Sequence, residues 1–371
     1  MKLGLRVVSL WALWMTVPST PIVAQVNPLV DLLAQDGWNA LAAGQADAAG
    51  KVFQQALALD GKNAELYLGA GTAAFVERRD EAAQSALERA LQLDPALARA
   101  RELLGLVQYR RGDLFGAIRT YEALDRNQLQ NRQAIDRLER WRRELDLHNR
   151  METMVGSAFT VSFEGEQDSD LAARALESLE RASSRISAVI SYPSRPIPVV
   201  LYTGEQFHDI TRSPSWAAGA YDGTIRIPIR GALENPGELD RVIAHEFAHA
   251  VIRGLAPRGV PTWLNEGLAT VLEREEGDAR IDEPSRALAQ PRLGALRASF
   301  GPMTPAEARV AYASSARAVQ RLLDDAGNFA VVNLLRDLGD KVPFERAFLN
   351  RMQRSFADFE SSLIISATDA R

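Results

Sequence analysis

The sequence predicts an α+β protein, an all-α repeat region followed by a mixed domain with a small sheet. Small and large residues recur every 34 positions between Gln35 and Arg126, as they do where like helix pairs stack on one another. Beyond Phe159, short alternating apolar runs are joined by runs of helical period, so strands and helices share one core. Within that second half, His245-Glu246-Phe247-Ala248-His249 and the later Glu266 place metal-ligand chemistry on two neighbouring helical stretches.

The 371 residues are 46% hydrophobic and 25% charged, enough apolar material for two real cores. The N-terminus reads as a signal peptide over residues 1–24. Lys2 and Arg6 precede an apolar run from Val7 to Val17, and Pro18 and Pro21 break it before Ile22-Val23-Ala24. An uncleaved anchor is the alternative, but the run falls well short of the ~20 residues that span a bilayer. The expectation is therefore secretion across an inner membrane to a periplasm, with only transient membrane contact. Cleavage would take the net charge from −5 to −7, which excludes a basic nucleic-acid face. No cysteine is present, so a metal site must use nitrogen and oxygen donors.

The repeat region is placed at 35–126. Gly37, Gly71 and Gly105 share one register, as do Phe53, Leu87 and Tyr121, and Ala49, Ala83 and Ala117. With Leu57-Ala58-Leu59-Asp60, Leu91-Gln92-Leu93-Asp94 and Pro95, this pattern resembles tetratricopeptide repeats. Three repeats imply a short solenoid with a groove. It is either a docking surface for a protein partner or a brace for the mixed domain. Residues 127–154 read as a linker and capping helix, with Leu138, Trp141 and Leu145 as a thin apolar stripe. His148 falls there without an assigned role.

The mixed domain is placed at 155–371. Phe159–Phe163 and Ile197–Tyr202 read as strands around a helix from Leu171 to Ile190. A third strand, Thr224-Ile225-Arg226-Ile227-Pro228, comes after the Asp222-Gly223 turn, and Pro228 marks it as an edge. The next helix starts with Asn235 as N-cap and Pro236 at its first position, and ends near Gly254. Ile243, Phe247 and Val251 face its core. His245 and His249, four residues apart, turn to one side, where both imidazoles reach a single ion. Glu246 between them is read as the base, and Glu266 on the next helix as the third ligand. Residues 277–303 read as loops or short helices. Thr304-Pro305-Ala306-Glu307 opens a helix that carries Tyr312, and 328–338 and 344–359 close the domain as amphipathic helices.

The pair His245-Glu246-Phe247-Ala248-His249 and Trp263-Leu264-Asn265-Glu266-Gly267-Leu268-Ala269 resembles the gluzincin metallopeptidases, and more narrowly the peptidase MA-like domains that follow tetratricopeptide repeats in secreted proteins. The resemblance runs from about 159 to 359. It implies Zn2+ on His245, His249 and Glu266, with Glu246 as general base toward an activated water and a protein or peptide as substrate. It implies that Glu273 orients a ligand histidine, the alternative being an ordinary exposed glutamate. Tyr312 would stabilise an oxyanion or be a core tyrosine, with Tyr221 a weaker rival. Thr224, Ile225 and Arg226 would pair with the extended substrate. Where related aminopeptidases carry a Gly-Ala-Met-Glu-Asn signature, this chain has Gly219-Ala220-Tyr221-Asp222-Gly223, so an endopeptidase is expected. The other reading is an envelope scaffold whose repeats bind partners and whose second domain is idle.

Overall fold

The computed structural model describes residues 27–124, 132–165, 168–190, 197–214, 217–229, 236–274 and 291–369. The expected signal segment, Trp216, the Asn235 cap and the Glu275-Glu276 run lie outside them. Among the described residues, no helix is long and apolar enough to cross a membrane.

The 34-residue period becomes three helix pairs: α1 (Pro28–Ala42) with α2 (Ala46–Leu59), α3 (Ala64–Val76) with α4 (Asp80–Leu93), and α5 (Ala98–Arg110) with α6 (Leu114–Glu122). The stack starts at Pro28, earlier than the expected Gln35. In each pair a glycine of the first helix meets the large side chain of the second. A Cβ would lie 2.7 Å from Phe53 at Gly37, 2.8 Å from Leu87 at Gly71 and 2.4 Å from Tyr121 at Gly105. No methyl fits there, so the glycines set how closely the helices approach. Ala49, Ala83 and Ala117 are fully buried. Helix α7 (Arg132–His148) closes the stack, with Trp141 stacked on Tyr109 and edge-on to Tyr121.

The sheet begins sooner than the sequence suggested. Glu152–Val155, expected within the linker, is β1 and pairs antiparallel with β2 (Phe159–Phe163). Helix α8 (Ser169–Val189) leads to β3 (Ile197–Tyr202), parallel to β2. Then come α9 (Gly204–Thr211), β4 (Ala220–Tyr221) and β5 (Ile225–Pro228), and the strand order is β1-β2-β3-β5-β4. The expectation that 224–228 is an edge strand is thus incorrect. β5 lies between β3 and the two-residue β4, which takes the edge. Pro228 is tolerated because it ends its strand, and the next amide, Ile229 N, supplies the bond to Tyr202 O at 2.7 Å.

Alternation along the central strand assigns its two faces. Val199 and Leu201, with Ile225 and Ile227 of β5, pack under α8 and α10 (Pro236–Leu255). Val200 and Tyr202 turn the other way, against Leu147 of α7 and Phe207 and Ile210 of α9. Arg226 is in register with Val200, so it points at α7. The remaining helices, α11 (Thr262–Leu272), α12 (Pro305–Gly339), α13 (Phe344–Met352) and α14 (Phe356–Asp369), complete the larger core. α12 is broken at Gly327, and the expected single helix over 344–359 is two, parted at Gln353 with φ 54°.

Repeats and mixed domain meet through buried charge. Arg226 donates to Glu144 of α7 (2.7 Å), to the Tyr109 hydroxyl (3.0 Å) and to Asp222 (3.2 Å). Glu77, at the end of α3, is buried and pairs with Arg258 and Lys341. These ion pairs join the repeats to the second domain.

Candidate metal centre

α10 opens at Pro236 as expected, and Ile243, Phe247 and Val251 are fully buried. That fixes the rotation of the helix and leaves His245 and His249 facing α11. Their Nε2 atoms lie 3.2 Å apart. Glu266 Oε2 is 3.6 Å from the first and 3.4 Å from the second. A tetrahedral ion with bonds of 2.0–2.2 Å separates its donors by about 3.3–3.6 Å, so these three atoms fit the corners of one face of a zinc-sized site. Among the described residues, they form the one group of histidine and acidic side chains close enough to share an ion.

The surroundings hold this arrangement in place. His245 donates from Nδ1 to Glu273 Oε2 at 2.6 Å, and Arg241 donates to the other oxygen of Glu273 at 3.1 Å. Glu273 is buried, so the ordinary exposed glutamate is not what the chain contains. This contact fixes which nitrogen of His245 turns to Glu266. His249 Nδ1 is buried and has no hydrogen-bond partner among the described residues. Burial alone would depress His245, but Glu266 and Glu273 outweigh it and hold the imidazole up to about 10. Burial raises Glu266 as well, yet the two imidazoles hold its carboxyl well below the usual range. A cation entering here takes the place of the imidazole protons.

Glu246 is buried beside the triad. Burial pushes its carboxyl up, against the pull of His249 and His245. The chain segment before β4 presses on it, since a Cβ at Gly219 would lie 2.6 Å from Glu246 Oε1. The sequence offered no sign of this contact beyond the small residues at 217–220. Gly267 has a like role on the other side. A Cβ there would lie 2.5 Å from Ser315 O, so α11 can close on α12 and bring Tyr312 to Glu266.

Tyr312 is hydrogen-bonded to Glu266 and has its ring 6.2 Å from that of His245 and 5.3 Å from that of Phe300. Burial first, then Glu266, raises its hydroxyl far above the ordinary range, so it stays a donor. Tyr221 instead lies on β4 under the Arg253 guanidinium, 5.4 Å away. The expected substrate strand is not brought to the site as drawn. Ile225 is in the core, Arg226 is consumed by Glu144, Tyr109 and Asp222, and Thr224 belongs to the turn, its amide donating to Asp222 Oδ1 at 3.2 Å. The strand beside Glu246 with a free edge among the described residues is β4.

The sequence matches no family model and no curated protein. Among solved structures, it is similar to a crystal structure of MamA at 28% identity, over 30% of this chain and 63% of that one, with a TM-score of 0.27. The match thus spans less than two thirds of MamA, and at that score it carries no argument.

Proposed function

We propose that the chain is a zinc-dependent hydrolase of the gluzincin type, most simply a secreted, periplasmic endopeptidase with a tetratricopeptide brace. The observation that carries the reading is the mutual spacing of His245, His249 and Glu266 at 3.2–3.6 Å with a buried glutamate beside them. His245, His249 and Glu266 would hold the ion. Bound zinc supplies Lewis acidity, polarising a carbonyl and bringing a water's pKa toward about 7. Glu246 takes the proton from the attacking water and returns it to the leaving amine. Its raised pKa suits both halves of that exchange. Tyr312 donates to the developing oxyanion from a site already shielded by Phe300. Asp222 is engaged by Arg226 and by its own turn, so it is not spare to hold a substrate's amino end. That supports endopeptidase action.

The purified chain is expected to carry about one zinc by elemental analysis, with His249→Ala or Glu266→Ala losing it. Glu273→Ala should bind it ~10- to 100-fold more weakly. Glu246→Gln should keep the metal but cleave quenched fluorescent peptides ~10²- to 10⁴-fold more slowly, and Tyr312→Phe ~10²- to 10³-fold more slowly. Equal turnover by wild type and Glu246→Gln would sink the hydrolase and leave a scaffold.

A further inference from the structure

One short stretch of chain, Gly219-Ala220-Tyr221-Asp222-Gly223, touches both the candidate centre and the repeats. At its first residue it lies against Glu246, where a Cβ on Gly219 would stand 2.6 Å from Oε1 and 2.7 Å from Cγ. No side chain fits between them, so this backbone bounds the space in which the carboxylate can turn. At its last residue it lies against the repeats. A Cβ on Gly223 would stand 3.1 Å from the carbonyl oxygen of Arg110, the final residue of α5, and φ there is 131°, a conformation that belongs to glycine. Between the two ends, Ala220 and Tyr221 form β4.

A buried side chain fastens this stretch to the repeats. Arg226 is the β5 residue in register with Ala220, and its Nη1 donates to Asp222 Oδ1 at 3.2 Å. The same oxygen accepts the Thr224 amide at 3.2 Å, which closes the turn. Nη2 of Arg226 is spent on the repeat side, donating to Glu144 Oε1 of α7 at 2.7 Å and to the Tyr109 hydroxyl of α5 at 3.0 Å. That hydroxyl donates in turn to Glu144 Oε2 at 2.9 Å. Arg226 and Glu144 are both buried, so little water competes for these bonds. β4 needs such a hold, because its ladder with β5 covers two residue pairs, the shortest in the sheet.

We infer that Arg226 is a positioning residue for the candidate base: through it, Tyr109, Glu144 and the Arg110 carbonyl hold 219–223 against Glu246, so the repeats are a working part of the centre. The inference rests on the hydrolase reading and adds to it the means by which one region acts on the other. A shift of about 1 Å in a catalytic group can cost ~10²-fold in rate. The metal ligands stand on α10 and α11, to which none of these bonds runs, so zinc binding should not follow.

The test compares two changes in the full, zinc-loaded chain. Glu144→Gln keeps the shape of the side chain and removes the charge that holds Arg226. Glu77→Gln weakens the other contact between the regions, to Arg258 and Lys341, and touches neither Arg226 nor 219–223. Both should lower the urea midpoint and keep the zinc. Glu144→Gln alone should lower kcat on quenched fluorescent peptides ~10-fold or more. Amide exchange read by mass spectrometry should quicken in fragments covering 217–229 of that variant and stay unchanged across 236–255. If Glu144→Gln does not fold, Tyr109→Phe carries the same expectations with a loss of about 3-fold or more. Wild-type kcat in the variant, a loss that Glu77→Gln shares, or unchanged exchange at 217–229 overturns the inference while the hydrolase stands. A wild type that cleaves no peptide ends the hydrolase reading, and the inference falls with it.

Discussion

Phe53 in the repeats and Arg226 at the junction are both deeply buried, yet different forces put them there. Phe53 fills the space that Gly37 and Gly69 leave open, and the same glycine-against-large contact recurs at Leu87 and Tyr121. Arg226 sits against Glu144, 82 residues away in the chain, and against Tyr109, 117 away. A contact of shape tolerates a change of chemistry that preserves volume, whereas a contact of charge fails when one partner is removed. The repeats can therefore drift in sequence and keep their stack, while the junction depends on a few specific groups. Because β5 carries Arg226 and pairs with β4, and Gly219 just before β4 lies against Glu246, the junction also bears on the candidate centre.

The largest effect should come from breaking the charged side alone. Arg226→Ala leaves Glu144 buried without its cation, and such removals cost about 3–5 kcal/mol. Urea denaturation of the full chain should show this loss. Replacing both partners, Arg226→Met with Glu144→Leu, should recover much of it, because a well-packed apolar pair avoids desolvating two charges. A cost below about 1 kcal/mol for the single change would mean that the junction is held by shape after all.

A smaller effect is expected on the other side. Gly105→Ala puts a methyl 2.4 Å from the Tyr121 ring, and overpacking of this kind costs about 1–3 kcal/mol. Tyr121→Leu in the same chain should relieve part of it, and zinc content should not move. If Gly105→Ala is neutral in the urea midpoint, close approach of α5 and α6 does not set the stack.

That contrast also explains what could be read from the sequence. The repeats were legible because one local rule is written three times, while the contact of Gly37, Gly71 and Gly105 with Phe53, Leu87 and Tyr121 shows only in the packed helices. His245 and His249 were legible because helical spacing places both on one face of α10, whereas Glu266 stands on α11 and was legible through its motif, and the role of Glu273, seven residues further on, comes from the family resemblance. The edge strand was misread. Pro228 looks like an edge marker until the amide of Ile229 is known to take over its bond, and a two-residue strand such as β4 leaves no period to detect. Arg226 gave no signal either, since a single arginine in a strand reads as solvated until α7 is brought to it by the packing of Leu147 on Val200 and Tyr202.

The smallest effect concerns His148, whose neighbours belong to both regions. Its Nε2 lies 2.8 Å from the Tyr202 hydroxyl of β3, while its own helix, α7, caps the repeats. Burial first, and then the charge of Arg226, push the imidazole down to about 4. Glu144, 4.0 Å away, does not offset this, being itself engaged by Arg226 and Tyr109. With a folded pKa below the free value of about 6.5, the unfolded chain takes up the proton first. Stability is then whole above about pH 6.5, falls as pH drops from there to about 4, and levels off below. The site is partly solvated, so on the order of 1 kcal/mol is expected across that window after allowance for screening. His148→Gln removes the titrating group, and its urea midpoint should therefore depend less on pH between 7 and 4.5 than that of the wild type. Parallel curves for the two proteins would show that His148 carries no share of the junction's pH response.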